Sequence, residues 1–246
     1  LTVPNIDNPF FATLSGVIIN QLKSRGYNVI LSDTMENVEN EVEALTSFVS
    51  RKVDGIIAVP VGSSPDYLEE ISRSIPVVLI DRCFMNTTLP YVCTDNYSGA
   101  YMATEHLISK GYRNILAIQG VLTSMPSKER VRGFLQAVDD HVGLGVTHNV
   151  CGNAFSVENG YREAKRALTG ESRPDAIFAF STTILLGAIK AIKELGLNIP
   201  EDVAIISFDN NRFLDYLDPA VTRVEQPVNV VGKLVTDNII KMVEKD

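Results

Sequence analysis

The sequence holds no tryptophan and only three histidines and three cysteines in 246 residues. Cys83, Cys93 and Cys151 are an odd number without close spacing. That argues against a disulfide framework and a metal knuckle and favours a reducing compartment, so a cytoplasmic location is expected. His106, His141 and His148 lack the spacing of metal ligands, and no metal site or cofactor is expected. No apolar run approaches the roughly 18 residues of a membrane span, and no basic stretch followed by an apolar run opens the chain. Basic residues are outnumbered, 22 against 30 acidic, for a net charge of −8. With no run of Lys or Arg, this stretch alone is poorly suited to gripping nucleic acid. There is no G-x-G-x-x-G after a strand, no P-loop and no G-x-S-x-G elbow. Gly143-Leu144-Gly145 sits in a loop and leads into no helix. No feature proposes catalysis, and the expectation is a protein that is not an enzyme.

What is present is the pattern of a globular α/β protein. The 45% apolar and 21% charged residues suit one large domain or two lobes at this length. Residues 175 to 210 show the pattern at its clearest. Asp175 to Phe180 is an apolar run, and Ser181-Thr182 follows it. Ile184, Leu185, Ala188, Ala191, Ile192 and Leu195 then recur at helical spacing. Gly196 stops that helix, Pro200 prevents its resumption, and Val203 to Phe208 is a second apolar run ending on Asp209. Strand, helix, strand, with strands too apolar to be half-exposed, is the mark of a buried parallel sheet. Open sheets of this kind bind ligands beyond the carboxyl ends of their strands, where Ser181 and Asp209 stand.

The same alternation runs along the rest of the chain. Asn8 suits a helix N-cap and Pro9 the first turn, with Leu14, Val17, Ile18 and Leu22 as the apolar stripe. Strands are expected at Tyr27–Leu31, Val53–Val59, Pro76–Ile80, Ile115–Gln119 and Val146–Val150. Helices are expected over Val38–Arg51, after Pro65, over Tyr97–Lys110 capped by Asn96, over Pro126–His141, Val157–Leu168 and Val228–Glu244. Phe213–Leu217 reads as a short helix and Thr222 to Gln226 as a strand or crossover. Helix, Gly-Tyr, apolar strand occurs at Gly26-Tyr27 and again at Gly111-Tyr112. Two similar lobes would produce that echo, and so would the general habit of glycine to end helices. Leu1 reads as the tail of a strand, so the chain is expected to belong to a longer protein.

Polar and aromatic residues gather at the expected strand ends: Asn8, Phe10 and Phe11 after the first, Asp81 and Arg82 after the fourth, Ser181 and Asp209 further on. Carboxylates accept hydrogen bonds from hydroxyls, arginine donates in a fixed fork, and aromatic faces cover the apolar side of a sugar ring. Each residue also has a plainer role open to it. Asn8 fits as a cap, Phe10 and Phe11 as core, and Asp81-Arg82 as a surface pair.

The chain resembles the effector-binding core of the lac repressor family of bacterial regulators. The residues that carry the resemblance are Val3-Pro-Asn-Ile-Asp-Asn-Pro-Phe-Phe11, Val53-Asp-Gly-Ile-Ile57, Val78-Leu-Ile-Asp-Arg82, Asp95-Asn-Tyr-Ser-Gly99 and Arg130-Val-Arg-Gly-Phe134. Beyond them come Gly187, Gly196-Leu-Asn-Ile-Pro-Glu-Asp-Val203, Ser207-Phe-Asp-Asn210 and Val224-Glu-Gln-Pro-Val228, in family order along nearly the whole chain.

The resemblance implies a periplasmic binding protein-like fold of type I, with two doubly wound parallel-sheet lobes joined by three crossovers. Residues 1–95 plus 227–246 would form the N-terminal lobe and 96–226 the C-terminal lobe, with hinges near Asp95 and Gln226. The family's DNA-binding helix-turn-helix would precede Leu1. Asn8, Phe10, Phe11, Asp81 and Arg82 match first-lobe sugar contacts, Arg130, Phe155 and Asp209 those of the second lobe, and Gln226 a hinge contact. Ser181-Thr182 departs from the Asn-Asp that family members commonly place there. The implied function is that of an effector-sensing and dimerising domain of a transcriptional regulator, with ligand-driven lobe closure altering operator binding. A monosaccharide site of the ribose-binding kind fits best, beside a purine, a phosphosugar or a partner protein. The alternative is the solute-binding receptor of a sugar transporter.

Overall fold

A computed structural model describes residues 1–244. The chain divides into two compact units: Leu1–Thr94 joined by the segment from Pro227 onward, and Asp95–Gln226.

The first unit runs β1 (Thr2–Val3), α1 (Pro9–Lys23), β2 (Ser32–Asp33), α2 (Val38–Ser50), β3 (Ile56–Ala58), α3 (Asp66–Ser72), β4 (Val77–Ile80) and β5 (Tyr91–Val92). The second runs α4 (Asn96–Ser109), β6 (Asn114–Ile118), α5 (Met125–Asp140), β7 (Thr147–Cys151), α6 (Val157–Leu168), β8 (Ala176–Ala179), α7 (Thr182–Glu194), β9 (Ala204–Phe208) and β10 (Thr222–Val224). The helix α8 (Val228–Val243) then belongs to the first unit. Every strand pair is parallel. The sheets have the orders β2-β1-β3-β4-β5 and β7-β6-β8-β9-β10. The order is the same in both, with the direction of winding reversing between β1 and β3 and between β6 and β8. The expected pair of doubly wound parallel sheets is borne out.

The apolar runs follow from this architecture. In the first unit Ile57, Val59, Val78 and Ile80 face α1 and α8 through Leu14, Ile18, Val231, Val235 and Ile239. The alternate residues Ile56, Ala58, Val77 and Leu79 join Leu45, Phe48 and Leu68 of α2 and α3 in a separate core. Side chains leave a strand on alternating faces, so a sheet covered on both sides needs apolar residues at every position. β8 and β9 meet the same demand in the second unit, where both are wholly buried. Each fully buried Leu, Ile or Phe contributes about 1.5–3 kcal/mol.

Three expectations shift. Most of Tyr27–Leu31 lies outside the strand and β2 is only Ser32–Asp33, although Leu1 N donates to Ile30 O at 2.9 Å and Leu1 O accepts from Ser32 N at 2.9 Å. The edge strand β5 was not expected; Tyr91 is exposed and Val92 half-buried, too short a pattern to show. Asp95, rather than Asn96, caps α4, its carboxylate accepting from Ser98 N at 2.9 Å. Gly26 and Gly111 both take positive φ after a helix, but α1 follows the first strand of its sheet and α4 precedes its own. Their likeness is the helix-ending habit of glycine, although the two sheets are alike.

Candidate functional site

In the second unit the site grows from the carboxyl ends of β6, β8, β9 and β10. Met125–Asp140 starts beyond β6 and carries Arg130 one turn in, with only 3% of its surface exposed. Its Nε donates to Asn96 Oδ1 at 2.8 Å, Nη1 donates to the carbonyl of Phe180 at the end of β8, and Nη2 stands 3.7 Å from Asp209 Oδ1. The guanidinium lies over the Phe208 ring, 3.8 Å from its centroid. Gln226 Nε2 donates to the same Asp209 oxygen at 2.6 Å. Arg130, Asp209 and Gln226 are thus one buried network, held by fixed partners and by a cation–π contact.

The other expected residues of this unit have local partners. Ser181 caps α7, its hydroxyl accepting from Ile184 N at 3.3 Å and meeting Thr183 Oγ1 at 3.0 Å. Phe155, in the loop before α6, is half-buried and lays its ring against Gly120, where a Cβ would come within 2.2 Å of it. Ser124 Oγ, Ser127 Oγ, Thr182 Oγ1 and Gln226 Oε1 are buried without a hydrogen-bond partner. All four follow β6, β8 or β10. An unsatisfied buried polar atom costs about 1–3 kcal/mol, which a hydroxyl-bearing ligand relieves by supplying the missing bond.

In the first unit Asn8 does cap α1, with Oδ1 accepting from Phe10 N at 3.1 Å. Phe10 and Phe11 are buried in the core beside α8 and meet edge to face at 5.1 Å. Asp81 and Arg82 follow β4, buried, with Arg82 Nε 4.0 Å from Asp81 Oδ2. Arg82 is gripped in bidentate fashion by Glu36, at 2.8 and 2.6 Å. Burial works to lower its pKa, but the bonds and charge of Glu36, with Asp81 and Glu41 adding to them, raise it overall. Glu41 is fully buried beside this group and accepts from the Tyr67 hydroxyl at 2.7 Å and from Val61 N at 3.1 Å. Burial pushes its carboxyl above the ordinary value, outweighing those bonds and the pull of Arg82. The plainer reading of Asp81-Arg82 as a surface pair does not hold: both are buried with Glu41, in a group completed by the half-buried Tyr67 and the exposed Glu36.

Asp81 and Asp209 occupy equivalent places, each directly after the fourth strand of its sheet, and both have positive φ, +65° and +74°. Such backbone costs a non-glycine residue on the order of 1–3 kcal/mol and collects at functional positions. Glu36, Glu41, Tyr67 and the bonding role of Asn96 went unread in the sequence. Glu36 lies just past the carboxyl end of β2, a signal that was there. Asn96 resembled a cap too closely to be seen as a partner for Arg130.

The model of the family described as periplasmic binding proteins and sugar binding domain of LacI family matches residues 1–246. The chain belongs to this family. It is 34% identical over 245 residues to the ribose operon repressor of Halalkalibacterium halodurans, covering all of this chain and 72% of that protein. It is 30% identical to catabolite control protein A of Priestia megaterium, covering 99% of this chain and 74% of the relative. A periplasmic binding protein/LacI transcriptional regulator from Alkaliphilus metalliredigens, solved with D-xylulofuranose, superposes with a TM-score of 0.85 at 30% identity over all of this chain and 90% of that one. These relatives are transcriptional regulators, and this LacI-family chain is an effector-sensing domain of that kind rather than a transporter's receptor. Among the described residues no helix is long and apolar enough to cross a membrane.

Proposed function

We propose that the effector is a neutral monosaccharide of pentose size. It would be contacted by Asn8, Phe10, Phe11, Asp81 and Arg82 of the first unit and by Arg130, Phe155, Ser181, Asp209 and Gln226 of the second. The observation that carries the reading is the buried Arg130–Asp209–Gln226 network at strand ends, with unsatisfied polar atoms following the same sheet's strands. Arg82 and Arg130 already have carboxylate partners. A phosphorylated effector would have to compete for them, whereas a polyol adds hydroxyls that bond to both charges of a pair. The similarity to a ribose operon repressor and to a regulator solved with a ketopentose favours the same class.

Titration calorimetry against a panel of aldoses and ketoses tests this. The Asp209→Ala variant should bind the best sugar of the panel about 1.5–3 kcal/mol more weakly, the worth of a charge-assisted hydrogen bond. Equal affinity in variant and wild type would remove Asp209 from the site.

The protein would act in the cytoplasm as a homodimer, its effector altering the fit to operator DNA. Two-fold dimers are the commonest oligomers and match palindromic operators. With a net charge of −8, affinity for DNA would have to come from residues outside this stretch. Sedimentation equilibrium at tens of micromolar should give twice the monomer mass, and a monomer throughout would contradict the dimer.

A further inference from the structure

Two of the three cysteines flank β5: Cys83 lies in the connection from β4, and Cys93 directly follows the strand. Ile80 pairs with Val92 across these parallel strands, and Asp81 N donates to Val92 O at 2.9 Å, so the chain leaving β5 places Cys93 beside Asp81. After Asp81 the backbone turns sharply, with φ of +65° and Arg82 N donating to Ile80 O at 2.7 Å, a bond of γ-turn type. The turn carries Cys83 back to β5. The Cys83 and Cys93 side chains are hydrogen-bonded to each other, and both residues are half-buried. Cys151 ends β7 in the other unit.

We propose that Cys83 and Cys93 form a reversible disulfide, a modification site oxidised by low-molecular-weight disulfides. One thiolate attacks the reagent's S–S bond and expels one thiol; the second protein thiol then attacks the resulting mixed disulfide and expels the other. Two protein thiols and one reagent disulfide give one protein disulfide and two reagent thiols. The protons released by the cysteines pass through solvent to the leaving thiolates. The two thiols are hydrogen-bonded to each other on neighbouring chain segments, so closing the bond asks for side-chain rotation within a short loop rather than movement of a distant segment. The hydrogen bond to Cys83, burial and the nearby Asp81 charge push the Cys93 thiol well up. Either sulfur can make the first attack, with the other resolving the mixed disulfide. The bond would close residues 84–92 into a loop and tie down the turn that presents Asp81 and Arg82. It stands on the thiol pair alone and holds whether or not a sugar is the effector.

The test is incubation of the protein with glutathione at graded ratios of oxidised to reduced form, followed by alkylation, thiol counting and peptide mass spectrometry. In the wild type, free thiols should fall from three per chain to one, with loss of two hydrogens in mass and one cross-linked peptide joining Cys83 to Cys93. Dithiothreitol should reverse this. Cys151→Ser should form the same cross-link, whereas Cys93→Ser should stop at a glutathione adduct on Cys83. A wild type that collects glutathione adducts without the internal cross-link, that cross-links between copies, or that keeps all its thiols in fully oxidised glutathione would overturn the proposal.

Discussion

Glu41 is the buried carboxyl whose ionisation the fold opposes. Because its folded pKa lies above the ordinary 4.5, the folded state holds the proton more tightly than the unfolded chain. Stability is then unpenalised below about pH 4.5, falls as pH rises toward the raised value, and stays reduced above it. Glutamine cannot ionise and still accepts from Tyr67 and Val61. Glu41→Gln should therefore be more stable than wild type in urea at about pH 7, with the difference shrinking toward about pH 4. A difference independent of pH, or a variant less stable at neutral pH, would show that the carboxylate is welcome there. Residues such as Asp81 and Asp209 were legible because an acidic group directly after an apolar strand stands out. Glu41 was not, since an acidic residue in the first turn of a helix reads as a solvated charge, and Glu36, although it follows β2, was passed over for the same reason. Only the tertiary fold brings Arg82 and Tyr67 to them.

At the scale of elements, α6 and α7 pack against each other through glycines. A Cβ on Gly187 would lie 2.0 Å from the Val157 carbonyl, and one on Gly160 2.1 Å from that of Ile184. Alanine is the better helix former by about 1 kcal/mol, but overpacking against rigid backbone costs about 1–3 kcal/mol or more. Gly187→Ala should therefore lower the midpoint of urea unfolding, and a midpoint equal to wild type or higher would mean that the helices part without cost. The helices were legible from their 3.6-residue stripes. β3, β4, β6, β8 and β9 were legible because nearly every position in them is apolar. β2 and β5 were not, being edge strands of two residues each, with no face wholly buried. The choice between Asp95 and Asn96 as cap could not be made locally, since both are good caps. It is made by Arg130, which holds Asn96.

At the scale of the whole molecule, the two sheets share one strand order, and their fourth strands end in aspartates of the same unusual backbone. The apolar runs made both sheets readable in advance; the exchange of α8 back to the first unit was readable only through the family resemblance, because nothing in an amphipathic helix says which sheet it covers. In the proposed reading, one effector binds the polar groups of both units and draws them together. A ligand shifts such an equilibrium only by its differential affinity. Moving a 1:99 population to 99:1 takes about 5.5 kcal/mol, which two or three charge-assisted hydrogen bonds at about 1.5–3 kcal/mol each would supply. Small-angle X-ray scattering of the protein with and without saturating amounts of the best-bound sugar tests this directly. The account predicts a smaller radius of gyration and a shortened distance distribution when the sugar is bound; identical curves at saturation would contradict it.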